Sequence, residues 1–535
     1  MNPPLSTSIK KNNTLVDLLR WRAQHQPNQR AYTFLRDGEE DALHLTYAEL
    51  DQQARAIGAW LQEMEVTGET GTLPAQRVLL LYPSGLEFIA AFFGCLYAGA
   101  VAVPAYPGRY SHANKRLKAI VRDADPTVVL SNAMPDFDQE LAELEWLVTE
   151  NIGTSLASEW EAAMLSGETL AFLQYTSGST AMPKGVIVTH SNLLHNLAAM
   201  QHSFEPTPHD NGVTWLPLYH DMGLIGGILL ALYVGGLSTI MSPVTFLQKP
   251  LRWLQAISRC HATVSGGPNF AYDLCVEKIR PHEREMLDLS SWQVASNGAE
   301  PIPAKTIERF VAAFEPSGFR REAFYPCYGL AEATLFVSGG LKSAAPIYSH
   351  VDEKVLFNNH CGLYETGRAI IGCGHSPLEQ KIVIVDPQSL TLCREGQIGE
   401  IWLQGANIAK GYWNRPKETA HTFNAYLHDA QLSAEPFLRT GDLGFLADNN
   451  LFVTGRIKDL IIIRGRNHYP QDIELTVEES HPALKTNSGA AFSVEVEAQE
   501  RLVVVQEITR AYPRQLDPPV DEIMSAIRQA VLDTH

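Results

Sequence analysis

Two stretches near the start of the chain repeat apolar residues at helical spacing. Leu50, Ala54, Ile57 and Leu61 follow Thr46 and Glu49, a capping-box pair, and predict an amphipathic helix. Thr14 to Ala23 reads as a second capped amphipathic helix. The pattern then changes. RVLLLY (77–82) and VAVP (101–104) are short and apolar throughout, as strands buried on both faces are. The segment between them, FIAAFFGCLYAGAVAVP (88–104), is uncharged and imitates a membrane span. Its small-residue breaks and terminal proline predict a buried helix that runs through Gly99 into the buried strand. Strand, helix, strand is a parallel βαβ unit. A looser copy follows at 213–243, VTWLPLYHDMGLIGGILLALYVGGLSTIMSP. Two related α/β subdomains facing each other are therefore expected.

The alternation continues with a helix near 250–260 that starts at Pro250, a strand ATVSGG (262–267) and a helix at 303–314. After about residue 380 the texture changes. KIVIVDP, GEIWLQG and LFVTGR are short strands divided by REG and ADNN turns, so a β-rich subdomain is expected over about 375–457. The charged segment GRIKDLIIIRGRNHYPQDIE (455–474) precedes a small α+β portion with a helix at 472–480 and strands at 489–494 and 502–507. The fold expected is α/β, with a large N-terminal domain over 1–457 and a small mobile domain over 458–535. A chain of 535 residues exceeds what one core sustains, which agrees with that division.

Composition narrows the function. A formal charge of −18 argues against nucleic acid as a partner. The seven cysteines form no CxxC pair and are odd in number, which suits reduced thiols in a cytoplasm better than a disulfide framework or zinc site. MNPPLSTSIKKNN contains no apolar core of a secretory signal, and no transmembrane segment is expected.

The densest chemistry lies in QYTSGSTAMPKGVIVTH (174–190). ETLAFLQ before it and VIVTH after it read as buried strands. A glycine- and hydroxyl-rich hairpin loop between strands offers N–H and O–H donors to an anion, and Lys184 adds a point charge that reaches a phosphate oxygen. It is not a Walker A loop, because Pro183 precedes the lysine and Gly185 follows it.

YTSGSTAMPKG closely resembles the signature loop of the adenylate-forming superfamily, which includes acyl-CoA synthetases, luciferases, nonribosomal adenylation domains and fatty acyl-AMP ligases. Ala181 stands where the family has glycine. Further pieces resemble the family's motifs in its own order over essentially the whole chain: PLYHDMGL (217–224), SNGAEPI (296–302), YGLAEAT (328–334), RTGDLG (439–444) and the 455–474 segment. The resemblance implies ATP and Mg²⁺ as cofactors. It implies that Thr176, Ser177, Gly178, Ser179, Thr180 and Lys184 hold the β- and γ-phosphates. It sets His220 between acyl pocket and nucleotide, and Asn297, Gly298, Ala299 and Glu300 along the adenine. Tyr328, Gly329, Leu330 and Ala331 would border the nucleotide, with Glu332 on the metal. Asp442 would grip the ribose hydroxyls, Arg456 would lie near the ribose, and Lys458 would be the hinge. Lys184, His220 and Glu332 are the expected catalytic residues. Ala331 replaces the usual threonine, so a hydroxyl contact to the α-phosphate is missing or supplied elsewhere.

The long connector 338–374 resembles the insertion that marks fatty acyl-AMP ligases, about 342–366 here, which is thought to hamper the domain rotation that CoA thioesterification needs. RGRNHYPQDIE (464–474) also resembles their hinge. A fatty acid would then be activated and passed to an acyl carrier protein or a polyketide synthase carrier domain. The family's late Ser-Gly-Lys-type run does not occur, and the chain ends at AVLDTH, so 458–535 is expected to be a partial C-terminal domain. An acyl-CoA synthetase, or a weakly active or non-catalytic acyl-adenylate binder, is the alternative.

Overall fold

A computed structural model describes residues 13–65, 76–106, 111–133, 144–176, 182–351, 368–428, 435–463, 466–496, 499–509 and 519–535. Its first sheet has six strands in the spatial order Glu145–Val148, Val128–Ser131, Arg77–Leu81, Val101–Ala105, Leu170–Thr176 and Lys184–Thr189. All neighbours are parallel except the last pair. That pair is the hairpin expected around the phosphate loop, with Thr176 opposite Lys184 as its last rung. Loop residues Ser177, Gly178, Ser179, Thr180 and Ala181 lie outside the described residues.

The segment that imitates a membrane span is the helix Leu86–Ala98, buried on every side but that of Glu87. Gly99 ends it at φ 75, a left-handed conformation that favours glycine, and the chain turns into the buried strand Val101–Ala105. Gly94 lets the helix press against Tyr47–Glu63, since a Cβ there would lie 2.4 Å from Ile57 Cγ2. The predicted capping box forms on Thr46 with Glu49, and the expected cap at Thr14 is a capping box as well, with Asp17.

The second sheet has eight strands in the order Phe336–Gly339, Phe324–Gly329, Val294–Asn297, Val264–Gly267, Asn211–Thr214, Leu237–Met241, Arg30–Leu35 and Ala42–Thr46. Its two outer pairs are antiparallel and the rest parallel. Strands 211–214 and 237–241 are parallel neighbours joined by a helix, as 77–81 and 101–105 are in the first sheet. The two segments paired by sequence are thus equivalent βαβ units. The connecting helix differs: Met222–Leu229 is π-helical and continues as the α-helix Leu230–Val234. Side-chain periodicity did not separate this wider winding from an α-helix.

The β-rich portion is an antiparallel sheet of Lys381–Val385, Gly399–Gln404, Leu438–Ala447 and Asn450–Arg456. RTGDLG is part of its third strand. A short turn, Ile457–Asp459, leads to the terminal portion, which contains the helix Pro470–Glu479, a hairpin of Leu484–Val496 with Gln499–Ile508, and the helix Val520–Thr534. These strands run longer than their apolar cores suggested, because cross-strand pairing extends into polar residues. The terminal portion meets the second sheet's helices through Lys305–Glu479 at 2.7 Å and Asn487–Asp273 at 3.2 Å. The expected insertion, about 342–366, includes the strand Tyr348–Val351, which pairs antiparallel with Arg368–Ile371; residues 352–367 lie outside the described residues.

Candidate active site

In the second sheet the chain leaves strand 211–214 toward 237–241 on one side and leaves 264–267 toward 294–297 on the other. Such a reversal opens a crevice beyond the carboxyl ends of the two adjacent strands. A cavity of about 810 Å³ occupies that crevice, lined there by Gly212, Val213, Thr214, Val264, Ser265 and Gly266. Loops from neighbouring strand ends add to its wall: 216–222 after the central strand, Gly298–Ala299 after 294–297, and 330–332 after 324–329.

Each polar group reaches the cavity through a local device. Asp448 and Asn449 both adopt left-handed φ, 47 and 59, and make a tight turn between strands 438–447 and 450–456. A bulge inserts Thr454 as an extra residue, because Leu443 pairs with Gly455 while Gly444 pairs with Val453. Asp442 consequently stands opposite Arg456 instead of Gly455. Its Oδ1 lies 2.9 Å from Arg456 Nε, and its Oδ2 accepts 2.6 Å from the Tyr328 hydroxyl. Burial pushes the Asp442 carboxyl above its ordinary value, against the pull of Arg456. Behind it, buried Glu400 holds Arg439 at 2.7 Å and accepts from the Gly441 N–H at 3.2 Å, which fixes the Thr-Gly-Asp turn.

Glu332 sits in the single turn Ala331–Ala333 after strand 324–329. Its Oε1 accepts from the Tyr412 hydroxyl at 2.7 Å. Burial raises this carboxyl, and the charges of Asp442 and Asp221 raise it further. The like charge of Asp442 and Asp221 makes Glu332 a carboxylate that a hard, oxygen-seeking cation would relieve, although among the described residues no three potential ligands come together to hold one by themselves. His220 Nδ1 lies 2.6 Å from Asp221 Oδ1, and the same oxygen accepts from the Met222 N–H at 2.7 Å. Asp221 therefore caps the π-helix and orients the imidazole together. Burial opposes the charged imidazole, but Asp221 outweighs it and the His220 value is raised.

Residues 19–413 match the AMP-binding enzyme family. The chain belongs to that family. This AMP-binding enzyme is 46% identical over 541 residues to the medium-chain-fatty-acid–[acyl-carrier-protein] ligase JamA of Moorena producens, covering 98% of this chain and 90% of that one. It is 37% identical over 522 residues to a putative fatty-acid–CoA ligase, FadD21, of Mycobacterium tuberculosis, covering 93% of this chain and 87% of the relative. Among solved structures it is similar to the fatty acyl-adenylate ligase of Legionella pneumophila in complex with acyl adenylate and pyrophosphate, with a TM-score of 0.80 and 42% identity over 99% of this chain and 92% of that one. It is an ATP-dependent ligase of the acyl-AMP-forming kind. No helix among the described residues is long and apolar enough to cross a membrane.

Of the residues singled out by sequence, Thr176, Lys184, His220, Gly298, Ala299, Tyr328, Gly329, Leu330, Ala331, Glu332, Asp442, Arg456 and Lys458 line the one cavity. Asn297 and Glu300 do not. Asn297 is fully buried, and its amide donates to Asn269 Oδ1 at 3.3 Å. Glu300 turns away and accepts from the Phe270 N–H at 2.7 Å, because Ala299, at φ 69, reverses the chain. Gly298 packs closely on the neighbouring strand, where a Cβ would lie 2.8 Å from the Cys327 carbonyl oxygen. Thr334 is no substitute for the hydroxyl absent at Ala331, since it donates to the Asn407 carbonyl at 2.6 Å. Sequence reasoning missed Tyr412, Glu400 and Arg439, which share the cavity wall. It also missed the apolar end, where Met200, Phe204, Met222, Leu230, Leu335 and Phe336 line the wall. Gly226 and Gly227 were the legible signal there, two small residues on the cavity side of an otherwise bulky helix. Trp215, beside this helix in sequence, does not line the cavity and stacks on Phe246 in the core with ring centroids 4.0 Å apart.

Proposed function

We propose that this enzyme activates a fatty acid with ATP to acyl-adenylate and pyrophosphate, and that the acyl group then goes to a carrier protein's phosphopantetheine thiol instead of to CoA. One observation supports it above the others: a single cavity has an apolar end between the π-helix and helix His190–Phe204 and a polar end holding Lys184, Glu332 and Asp442. An acyl chain in the first would set its carboxylate toward His220, which lines the same cavity.

The fatty carboxylate oxygen attacks the α-phosphorus, and the bond from that phosphorus to the bridging oxygen of the β-phosphate breaks. Both reactants are anions, so the site lowers the barrier mainly by holding them in line and supplying donors where charge accumulates. Lys184 and the 176–180 loop take the departing pyrophosphate. Asp442, held between Tyr328 and Arg456, accepts from the ribose hydroxyls and fixes the nucleoside. Mg²⁺ held through Glu332 would offset phosphate charge. His220, oriented by Asp221, orients the incoming carboxylate.

Incubation with ATP, Mg²⁺ and fatty acids of graded length, with and without CoA and a phosphopantetheinylated carrier protein, tests the reading by mass spectrometry. Acyl-adenylate and acyl-carrier are the expected products. Acyl-CoA formed as fast as acyl-adenylate would support the synthetase reading that the name of FadD21 suggests.

A further inference from the structure

The segment 409–413 lies beside the lysine strand as an extra rung. Ile187 donates to the Gly411 carbonyl at 2.9 Å, Lys410 to the Ile187 carbonyl at 3.0 Å, and Trp413 to the Gly185 carbonyl at 2.7 Å. The same segment holds the metal-side turn, because Ala409 donates to the Glu332 carbonyl at 2.9 Å. Backbone bonds therefore fix Tyr412 between Lys184 and Glu332. Its ring centroid is 4.9 Å from Lys184 Nζ, while its hydroxyl binds Glu332. The helix that follows, Pro416–Phe423, presents Glu418 in its first turn, and Lys184 is ion-paired with the Glu418 carboxylate. Arg415 approaches the other Glu418 oxygen at 3.3 Å.

We propose that Glu418 is a resident counter-ion of Lys184, and that a polyphosphate entering the site takes its place. This rests on the reading that Lys184 holds the β- and γ-phosphates. The geometry suits exchange. The Lys184 side chain is 27% exposed and that of Glu418 40%, so the pair is weak enough to part. Arg415 retains Glu418 after displacement, and the Tyr412 face retains the ammonium by a cation–π contact. The Lys184 hydrogen bond also holds the Glu418 carboxyl below its ordinary range, as expected of a carboxylate engaged with that lysine. Without a nucleotide, the lysine charge is held in place and satisfied. With one, the enzyme gives up a carboxylate contact for a phosphate contact, which moderates its grip on pyrophosphate and helps the product leave. Glu418 is a positioning residue, not a catalytic one.

Calorimetric titration of the full chain with inorganic pyrophosphate, and separately with AMP, in metal-free buffer tests this. Glu418→Gln should bind pyrophosphate about threefold more tightly, the scale of one partly exposed ion pair, with AMP affinity unchanged and the gain shrinking as KCl is raised. Pyrophosphate binding that weakens or stays the same in Glu418→Gln would overturn the proposal. Lys184→Ala separates the two ideas: unchanged pyrophosphate affinity there overturns the phosphate role of Lys184 itself, whereas weakened binding upholds it and leaves Glu418→Gln to decide. Equal tightening for AMP and pyrophosphate in Glu418→Gln would also count against exchange, because AMP lacks the groups that displace Glu418.

Discussion

Glu332 is an expensive residue to keep. Its carboxyl is raised by burial and by two neighbouring carboxylates, so its ionised form costs the metal-free fold. Glu332→Gln keeps the shape and an acceptor for Tyr412 but removes the charge. Acyl-adenylate formation should fall by about two orders of magnitude, as when one charge-stabilising group is lost. The metal-free variant should melt roughly a degree or two higher than the parent at pH 8. A raised carboxyl contributes its stability below the unfolded value and loses it as pH rises through the folded one. The advantage of Gln should therefore vanish below about the ordinary value of 4.5, where the parent is neutral in both states. Melting curves at the two pH values check the sign. At this scale the sequence was legible where chemistry sits in a contiguous motif, as in YGLAEAT. It was not legible for Tyr412, Glu418 or Glu400, whose roles arise only when distant segments pair with the lysine strand or the Thr-Gly-Asp turn.

The hairpin 438–456 shows how an element, and not a motif, aims a side chain. Deleting Thr454 removes the bulge, returns Gly455 to the position opposite Asp442 and takes Arg456 away. The expected result is an intact fold with AMP affinity lowered at least tenfold, measured by calorimetry. A second element depends on one buried cation. Arg22 donates to the Leu232 carbonyl at 3.1 Å and the Tyr233 carbonyl at 2.7 Å, closing the C-terminal end of the helix below the cavity. Arg22→Ala orphans both and should cost about 2–4 kcal/mol in urea unfolding. Periodicity and capping residues revealed most helices and the buried strands. They did not reveal the hairpin of 30–35 with 42–46, whose second strand is half exposed and lacks an apolar run. The π-winding of 222–229 was equally hidden, because it changes backbone pairing and leaves composition alone.

The whole molecule is two equivalent βαβ-containing lobes, a β-rich unit and a terminal α+β portion, with the cavity at the second sheet's strand reversal. The repeat was legible because both copies keep strand, proline, glycine-studded helix, strand. Cavity depth was not, since it depends on which side chains of the second copy face inward. A Cβ on Gly226 would meet Leu335 and Met200 at 3.7 Å, ordinary contact, so a larger side chain is accommodated at the expense of the apolar end. Gly226→Leu should shift the preferred fatty acid to shorter chains by two or more carbons, roughly the length a leucine side chain occupies; competition between acids of graded length reads this out. The measurement that bears most directly on the account is the fate of the acyl group. With a medium- or long-chain fatty acid, ATP and Mg²⁺, the enzyme should release pyrophosphate, accumulate acyl-adenylate, load a phosphopantetheinylated carrier protein and form little acyl-CoA when CoA is supplied. Acyl-CoA produced at the rate of adenylate formation, with no loading of the carrier, would contradict it.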